Sequence, residues 1–169
     1  MATSIALDYF LDGNFDFFVR LDADGQHPQN QIEGLLIPLR LGETDVVWGE
    51  RTNNLKIDTP KALLGSITKI LTAWLGGAIF RSNVKDWFTG FFAINRIAAA
   101  HGARCYLERY CEVQLLCIFH SVPMRIKTHQ VEQLDRKYGK TRILWKDGVM
   151  ILLRSVLMLL LYALRMNPK

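Results

Sequence analysis

Three oxygen-bearing side chains alternate where an apolar run ends: Asp22, Asp24 and Gln26 in FDFFVRLDADGQHP, residues 15–28. If the run is a strand, positions i and i+2 share a face, so Asp22 and Asp24 can converge on one point. Hard divalent cations take oxygen ligands, and Mg²⁺ commonly takes one or two carboxylates while phosphate oxygens complete its shell. Gln26 offers a third oxygen. The chemistry these residue types suit is the holding of such a cation on a phosphorylated ligand. A plainer reading stays open: a solvated acidic turn in which Asp24-Gly25 supplies turn geometry alone.

Such a set needs a frame. Met1 to Leu11 reads as the tail of a helix, closed by the turn signal Asp12-Gly13-Asn14. Phe15 to Leu21 reads as a buried strand. After Pro28, the spacing of Ile32, Leu35, Leu36 and Leu39 predicts a helix that Gly42 stops. Asp45 to Gly49 is a short strand, followed by the loop Glu50-Arg51-Thr52-Asn53-Asn54. Strand, helix and strand together have the size of a βαβ unit with parallel strands. In such sheets ligands sit beyond the carboxyl ends of the strands, which is where Asp22, Asp24 and Gln26 fall.

Farther along, Lys61 to Phe80 predicts a buried or interfacial helix pair interrupted at Gly76-Gly77, since Lys61 and Lys69 argue against a membrane span. Asp86 to Asn95 has strand propensity, with Gly90 in its middle where a backbone or ligand can approach closely. Glu108 to His120 reads as a helix and Val122 to Gln133 as a strand. Gly148 to Met166 is the most hydrophobic segment. Its Arg154 and Arg165 are eleven residues apart, close to three helical turns, so they share a face. That is the pattern of a helix lying in a membrane interface; a core helix of a soluble domain is the alternative.

At 169 residues the chain can bury one good core. Its net charge of +5 is unevenly spread. Residues 1–24 hold five Asp and one Arg, whereas residues 125–146 hold seven Lys or Arg against Glu132 and Asp135. The split suggests an acidic metal site at one end and a surface for anions or membrane at the other. No nucleic-acid-binding module is recognisable. Cys105, Cys111 and Cys117 are six apart and form no CxxC pair, so they read as reduced packing residues.

LDADGQHP, the amphipathic helix after it and DVVWGERTN resemble the family 2 glycosyltransferases of GT-A fold. The similarity is greatest to the branch holding dolichol-phosphate mannose synthase and bacterial polyprenyl-phosphate sugar transferases. DWFTGFFAINR from Asp86, RYCEVQLL from Arg109 and VPMRIKTHQVEQLDRKYGKTR from Val122 follow in the same order. The resemblance covers about residues 15–145. It implies an α/β fold: an incomplete GT-A sheet with flanking helices and a C-terminal amphipathic helix. It further implies that Asp22, Asp24 and Gln26 hold Mg²⁺ or Mn²⁺ on the pyrophosphate of a nucleotide-sugar donor, with Asp24 counted among the catalytic groups. Arg51 is implied to face the phosphates, and Arg136, Gly139, Thr141 and Arg142 to close over them. Asp86 is implied to lie near the acceptor as a base or an orienting group, and an already anionic lipid phosphate acceptor favours orienting. His27 is expected to shape the turn. Arg51 read as a strand end, Asp86 as a structural pair and the basic loop as a solvated patch stay open beside these roles.

The sequence departs from the family in lacking its Pro-x-Tyr-Asn-Glu and Asp-Asp-Gly-Ser stretches, which bind the donor's base and ribose. Residues 1–145 are therefore expected to form a GT-A domain without its N-terminal nucleoside-binding units, and 146–169 an interfacial or juxtamembrane helix. The expected partners are a nucleotide-sugar donor, a lipid phosphate acceptor, a membrane surface and a complementing N-terminal chain or second copy, with no nucleic acid. The expected location is the cytoplasmic face of a membrane, with weak or absent turnover by the chain alone. A non-catalytic membrane-interface module is the alternative from another class. A metal-dependent phosphohydrolase ranks last, for want of a nucleophile or a second metal cluster.

Overall fold

The structure is a computed structural model that describes residues 2–52, 59–105, 107, 110–134 and 145–166. The first helix, α1 (Ala2–Asp12), leads into strand β1 (Phe17–Arg20), and after a single 3₁₀ turn comes α2 (Ile32–Arg40). Strand β2 (Val46–Arg51) is followed by the long helix α3 (Pro60–Phe80), strand β3 (Phe92–Asn95) and helix α4 (Arg96–Ala103). Helix α5 (Glu112–His120), strand β4 (Ile126–Val131) and helix α6 (Trp145–Met166) complete the order.

The strands form one sheet in the order β1-β3-β2-β4. Strand β3 runs antiparallel to both β1 and β2, while β2 and β4 are parallel. This corrects the expected βαβ unit: β1 and β2 point the same way, but β3 lies between them and takes their hydrogen bonds. Register explains the apolar runs. Val46, Trp48, Phe92 and Ile94 face one side, against α1, α4, α5 and α6. Val47, Phe91 and Ala93 face the other, against Leu35 and Leu39 of α2. A sheet covered on both faces needs apolar residues at successive positions, because neighbours point opposite ways.

Two further expectations change. Only Phe92–Asn95 of the segment from Asp86 is strand; Asp86 to Gly90 is loop. Helix α3 is one continuous helix rather than a pair, capped by the Thr59 hydroxyl accepting from the Ala62 N–H. Gly76 does not break it. A side chain there would start 2.0 Å from Trp87 Cζ2, so the glycine is where the indole packs against the helix. Asn95 caps α4 by accepting from the Ala98 N–H. Arg96 then donates to four carbonyls at the end of α1 and the turn after it, tying that helix down.

Helices α3 and α6 pack against each other, and Leu159 of α6 is fully buried in the main core. Both are long and apolar enough to cross a membrane by length and composition. Their outer faces stay uncovered. Leu63, Ile67, Ile70 and Trp74 of α3 recur at helical spacing and are exposed, Trp74 to 67%. Leu153, Leu157, Leu160 and Leu164 do the same on α6, opposite buried Ser155 and Leu159. Arg154 lines a small cleft with Tyr110 and Gln114 beside α5, so it lies at a helix seam; the side chain of Arg165 is outside the described residues.

Candidate functional site

The turn after β1 is built by its own side chains. Gly25 takes a left-handed backbone with φ of 77°, a conformation that favours glycine. The Gln26 N–H donates to Asp24 Oδ1 at 3.1 Å, an Asx turn. The Asp22 N–H donates to His27 Nδ1 at 3.0 Å, which puts the ring's own proton on Nε2. That ring stacks on Phe91, and burial holds its pKa below the usual histidine value. His27 thus shapes the turn through a hydrogen bond only the neutral ring can accept. Gln26 ties the turn to the chain after β4: its backbone carbonyl accepts from the Leu134 N–H, and its Nε2 donates to the Leu134 carbonyl at 3.4 Å.

Gly90 is where the loop before β3 passes Asp22. A Cβ there would sit 2.7 Å from both carboxylate oxygens, so glycine leaves the space that the carboxylate occupies. The close neighbour at Gly90 is this side chain, where a backbone or a ligand was expected. The Asp22 charge also acts on His27, Arg20 and Arg51, which gathers these groups at the carboxyl ends of β1 and β2. Among the described residues no group of three or more His, Cys, Asp or Glu is arranged to hold a metal; the candidate set is two carboxylates and an amide.

Beside the turn lies a buried charge cluster. Arg51, at the end of β2, donates to Asp86 through Nε at 2.5 Å and Nη2 at 2.8 Å. Lys69 Nζ, from α3, lies 3.0 Å from Asp86 Oδ2, and the Phe88 N–H donates to Oδ1. Asp86 is 1% exposed; the side chains of Arg51 and Lys69 are 23% and 22% exposed. Burial alone would raise the Asp86 pKa, but the two-point contact with Arg51 and the charge of Lys69 outweigh it, and the carboxyl is held below its ordinary value. Burial works against the Arg51 cation too, and its bonds to Asp86 more than offset that, so its pKa is raised. A carboxylate that accepts four donors and is held anionic is a poor proton acceptor. Its arrangement suits it to orient Arg51 and Lys69, not to act as a base.

Two participants carry little sequence signal. Arg20 donates to Glu112 Oε1 at 2.6 Å, bridging β1 to the first turn of α5. Lys69 is the one charge between residues 62 and 80, and that isolation in an apolar helix was the available clue. Arg136, Gly139, Thr141 and Arg142 lie outside the described residues. Asp45 belongs elsewhere. At the opposite end of β2 it accepts from Arg125 and Asn95 and clamps β2 to the start of β4. The three cysteines are free, and burial pushes the Cys117 thiol up to about 12.

No family model matches the sequence, nor does any curated protein sequence. Solved structures do match by fold. Glucosyl-3-phosphoglycerate synthase from Mycobacterium tuberculosis, crystallised with Mn²⁺, uridine diphosphate and glucosyl-3-phosphoglycerate, aligns with a TM-score of 0.67 at 17% identity. The same enzyme with Mn²⁺, uridine-diphosphate-glucose and phosphoglyceric acid aligns at 0.67 and 16% identity. With glycerol 3-phosphate in place of phosphoglyceric acid it aligns at 0.58 and 16%. Each alignment covers 97% of this chain and 55% of the enzyme, so the chain spans about half the length of these structures. The four-stranded open sheet and its flanking helices thus match part of a GT-A fold.

Proposed function

We propose that this chain is part of a metal-dependent glycosyltransferase that moves a sugar from a nucleotide-diphosphate donor to a polyprenyl or dolichyl phosphate. The observation that carries the reading is the turn after β1. Asp22 and Asp24 follow a strand there, with Asp22 within electrostatic reach of Arg51 and beside a glycine that makes room for its carboxylate. These residues fit a hard divalent cation. Two carboxylates and an amide oxygen form too small a cage to bind one alone, and they match the share of a Mg²⁺ or Mn²⁺ shell that protein supplies when phosphate oxygens fill the rest. Bound there, the ion would stabilise the charge that develops on the departing pyrophosphate.

The chain's own groups have separable tasks in this reading. Asp22, Asp24 and Gln26 hold the ion. Arg51, fixed in plane by Asp86, meets the phosphates with a guanidinium whose fork suits them. Asp86 is then a positioning residue. Arg136, Thr141 and Arg142 are assigned to the same phosphates from the sequence resemblance. A phosphate acceptor is already anionic and needs no strong base, in keeping with a cluster that has none. The solved neighbours bear on the acceptor only in being bound to phosphate-bearing ones.

The lipid character of the acceptor is supported by the exposed apolar faces of α3 and α6, which would also hold the protein against the cytoplasmic face of a membrane. Transfer from a nucleotide sugar to polyprenyl phosphate, with and without Mn²⁺, tests the reading. The chain alone is expected to turn over poorly, and titration of Mn²⁺ with uridine diphosphate supplies the binding measurement. Binding that is metal-dependent and abolished by Asp24→Ala supports it; binding indifferent to both defeats it. The same apolar faces favour a second reading, a non-catalytic membrane-interface module. Salt-sensitive liposome binding that Asp22→Asn leaves unchanged, with no metal response, would select it.

A further inference from the structure

Lys69 is the one charged side chain between residues 62 and 80 of α3, yet it is not turned out to solvent. It reaches inward to Asp86, a carboxylate that Arg51 already meets through two N–H groups. Among the described side chains, Arg51 and Lys69 share the one carboxylate of Asp86. Arg20 is matched by Glu112, and Arg51 by Asp86. In the proposed function, which this inference rests on, Asp22 and Asp24 are matched by the divalent ion. Lys69 is then the second cation on a carboxylate that Arg51 already pairs, and its side chain is more than three-quarters buried, where water screens it weakly and an incoming anion is favoured.

Its chemistry and position narrow the anion. An ammonium has three donors, and the bond to Asp86 takes one. The helix that carries it exposes Leu63, Ile67, Ile70 and Trp74 along its outer face, so the cation sits at the inner side of an apolar wall. We propose that Lys69 binds the phosphate monoester of the acceptor, and that Asp86 holds this lysine beside Arg51, the cation assigned to the donor's phosphates. The shared chemistry is a phosphate monoester dianion, whether on an apolar chain or on a small hydroxylated molecule.

Calorimetric titration of the full chain in EDTA, with glycerol 3-phosphate and with farnesyl phosphate in detergent, tests the assignment. Lys69→Met is expected to weaken binding of the preferred probe about tenfold, the size of one lost charge-assisted hydrogen bond. Lys69→Arg should stay within about threefold, since it keeps the charge. Tighter binding of farnesyl phosphate assigns a lipid source, and tighter binding of glycerol 3-phosphate a soluble one. Wild-type affinity in Lys69→Met, or no binding of either probe by the wild-type chain, overturns the proposal. Should Lys69→Met fail to fold, ¹³C-methylated wild-type protein answers instead: the Lys69 signal must shift on adding the preferred probe, and a static signal overturns the claim. Mn²⁺-dependent binding of uridine diphosphate by the wild-type chain is read separately. Its absence removes the transferase reading, whereas its presence without phosphate-monoester binding removes only the role of Lys69.

Discussion

Asp86→Asn removes one charge from the cluster under the site and leaves its shape. Breaking a buried ion pair by taking away one partner costs about 3–5 kcal/mol, because the remaining charge stays desolvated. Arg51 and Lys69 keep 23% and 22% exposure, so water can reach them in part, and asparagine retains one acceptor oxygen. The low end therefore applies, about 3 kcal/mol. For a chain of this size that corresponds to a fall in Tm of about 6–12 °C. Urea unfolding followed by tryptophan fluorescence measures it, since Trp48 and Trp87 are fully buried. Arg40→Ala is the control: its pair with Glu33 is more than half exposed on both sides and is worth about 0–1 kcal/mol. The pH dependence has a definite sign. The folded pKa of Asp86 lies below the ordinary 3.8, so the native state holds fewer protons than the unfolded one in that range. The stability it contributes is complete above the unfolded value and is lost as pH falls through the folded one. The gap between wild type and Asp86→Asn should be constant from neutral pH down to about 5 and close below about 4. A loss no larger than that of Arg40→Ala at neutral pH would refute the burial argument.

Gly90→Ala should displace the Asp22 carboxylate, which its Cβ would meet at 2.7 Å; Mn²⁺ affinity, read by electron paramagnetic resonance, should fall at least tenfold, while stability changes by less than about 2 kcal/mol. Wild-type metal affinity in that variant would count against Asp22 as a ligand. Two glycines of α3 should respond oppositely: Gly76→Ala drives a methyl into Trp87 and is expected to cost about 1–3 kcal/mol, whereas Gly65→Ala meets nothing and should stabilise by about 0.5–1 kcal/mol in thermal unfolding. Cys117, fully buried and with its thiol pushed up to about 12, should resist iodoacetamide at neutral pH in the native state and react on unfolding, as mass spectrometry of the alkylated peptides would report.

Helices α1 and α6, the turn after β1 and the strands at Phe17 and Val46 were legible as sequence. Each follows from local spacing, turn residues or an apolar run bounded by Gly, Pro and Asp. The turn that carries Asp22, Asp24 and Gln26 was legible from Asp24-Gly25, a local signal, but these residues lie past the end of β1, so strand alternation does not set where their oxygens point. What local pattern does not carry is which strand lies beside which. The insertion of β3 between β1 and β2 depends on how α3 returns the chain, and Phe92–Asn95 reads the same in either direction. Nor could spacing bring Lys69 to Asp86, or Asp86 to Arg51, across 17 and 35 residues. The contacts with Arg51 and Lys69 likewise turned Asp86 from a candidate base into a fixed anion, against the effect of its burial. Ion pairs of this kind are made by packing: the chain specifies the charges, and only the folded sheet and helices set their distances and exclude the water that would otherwise screen them.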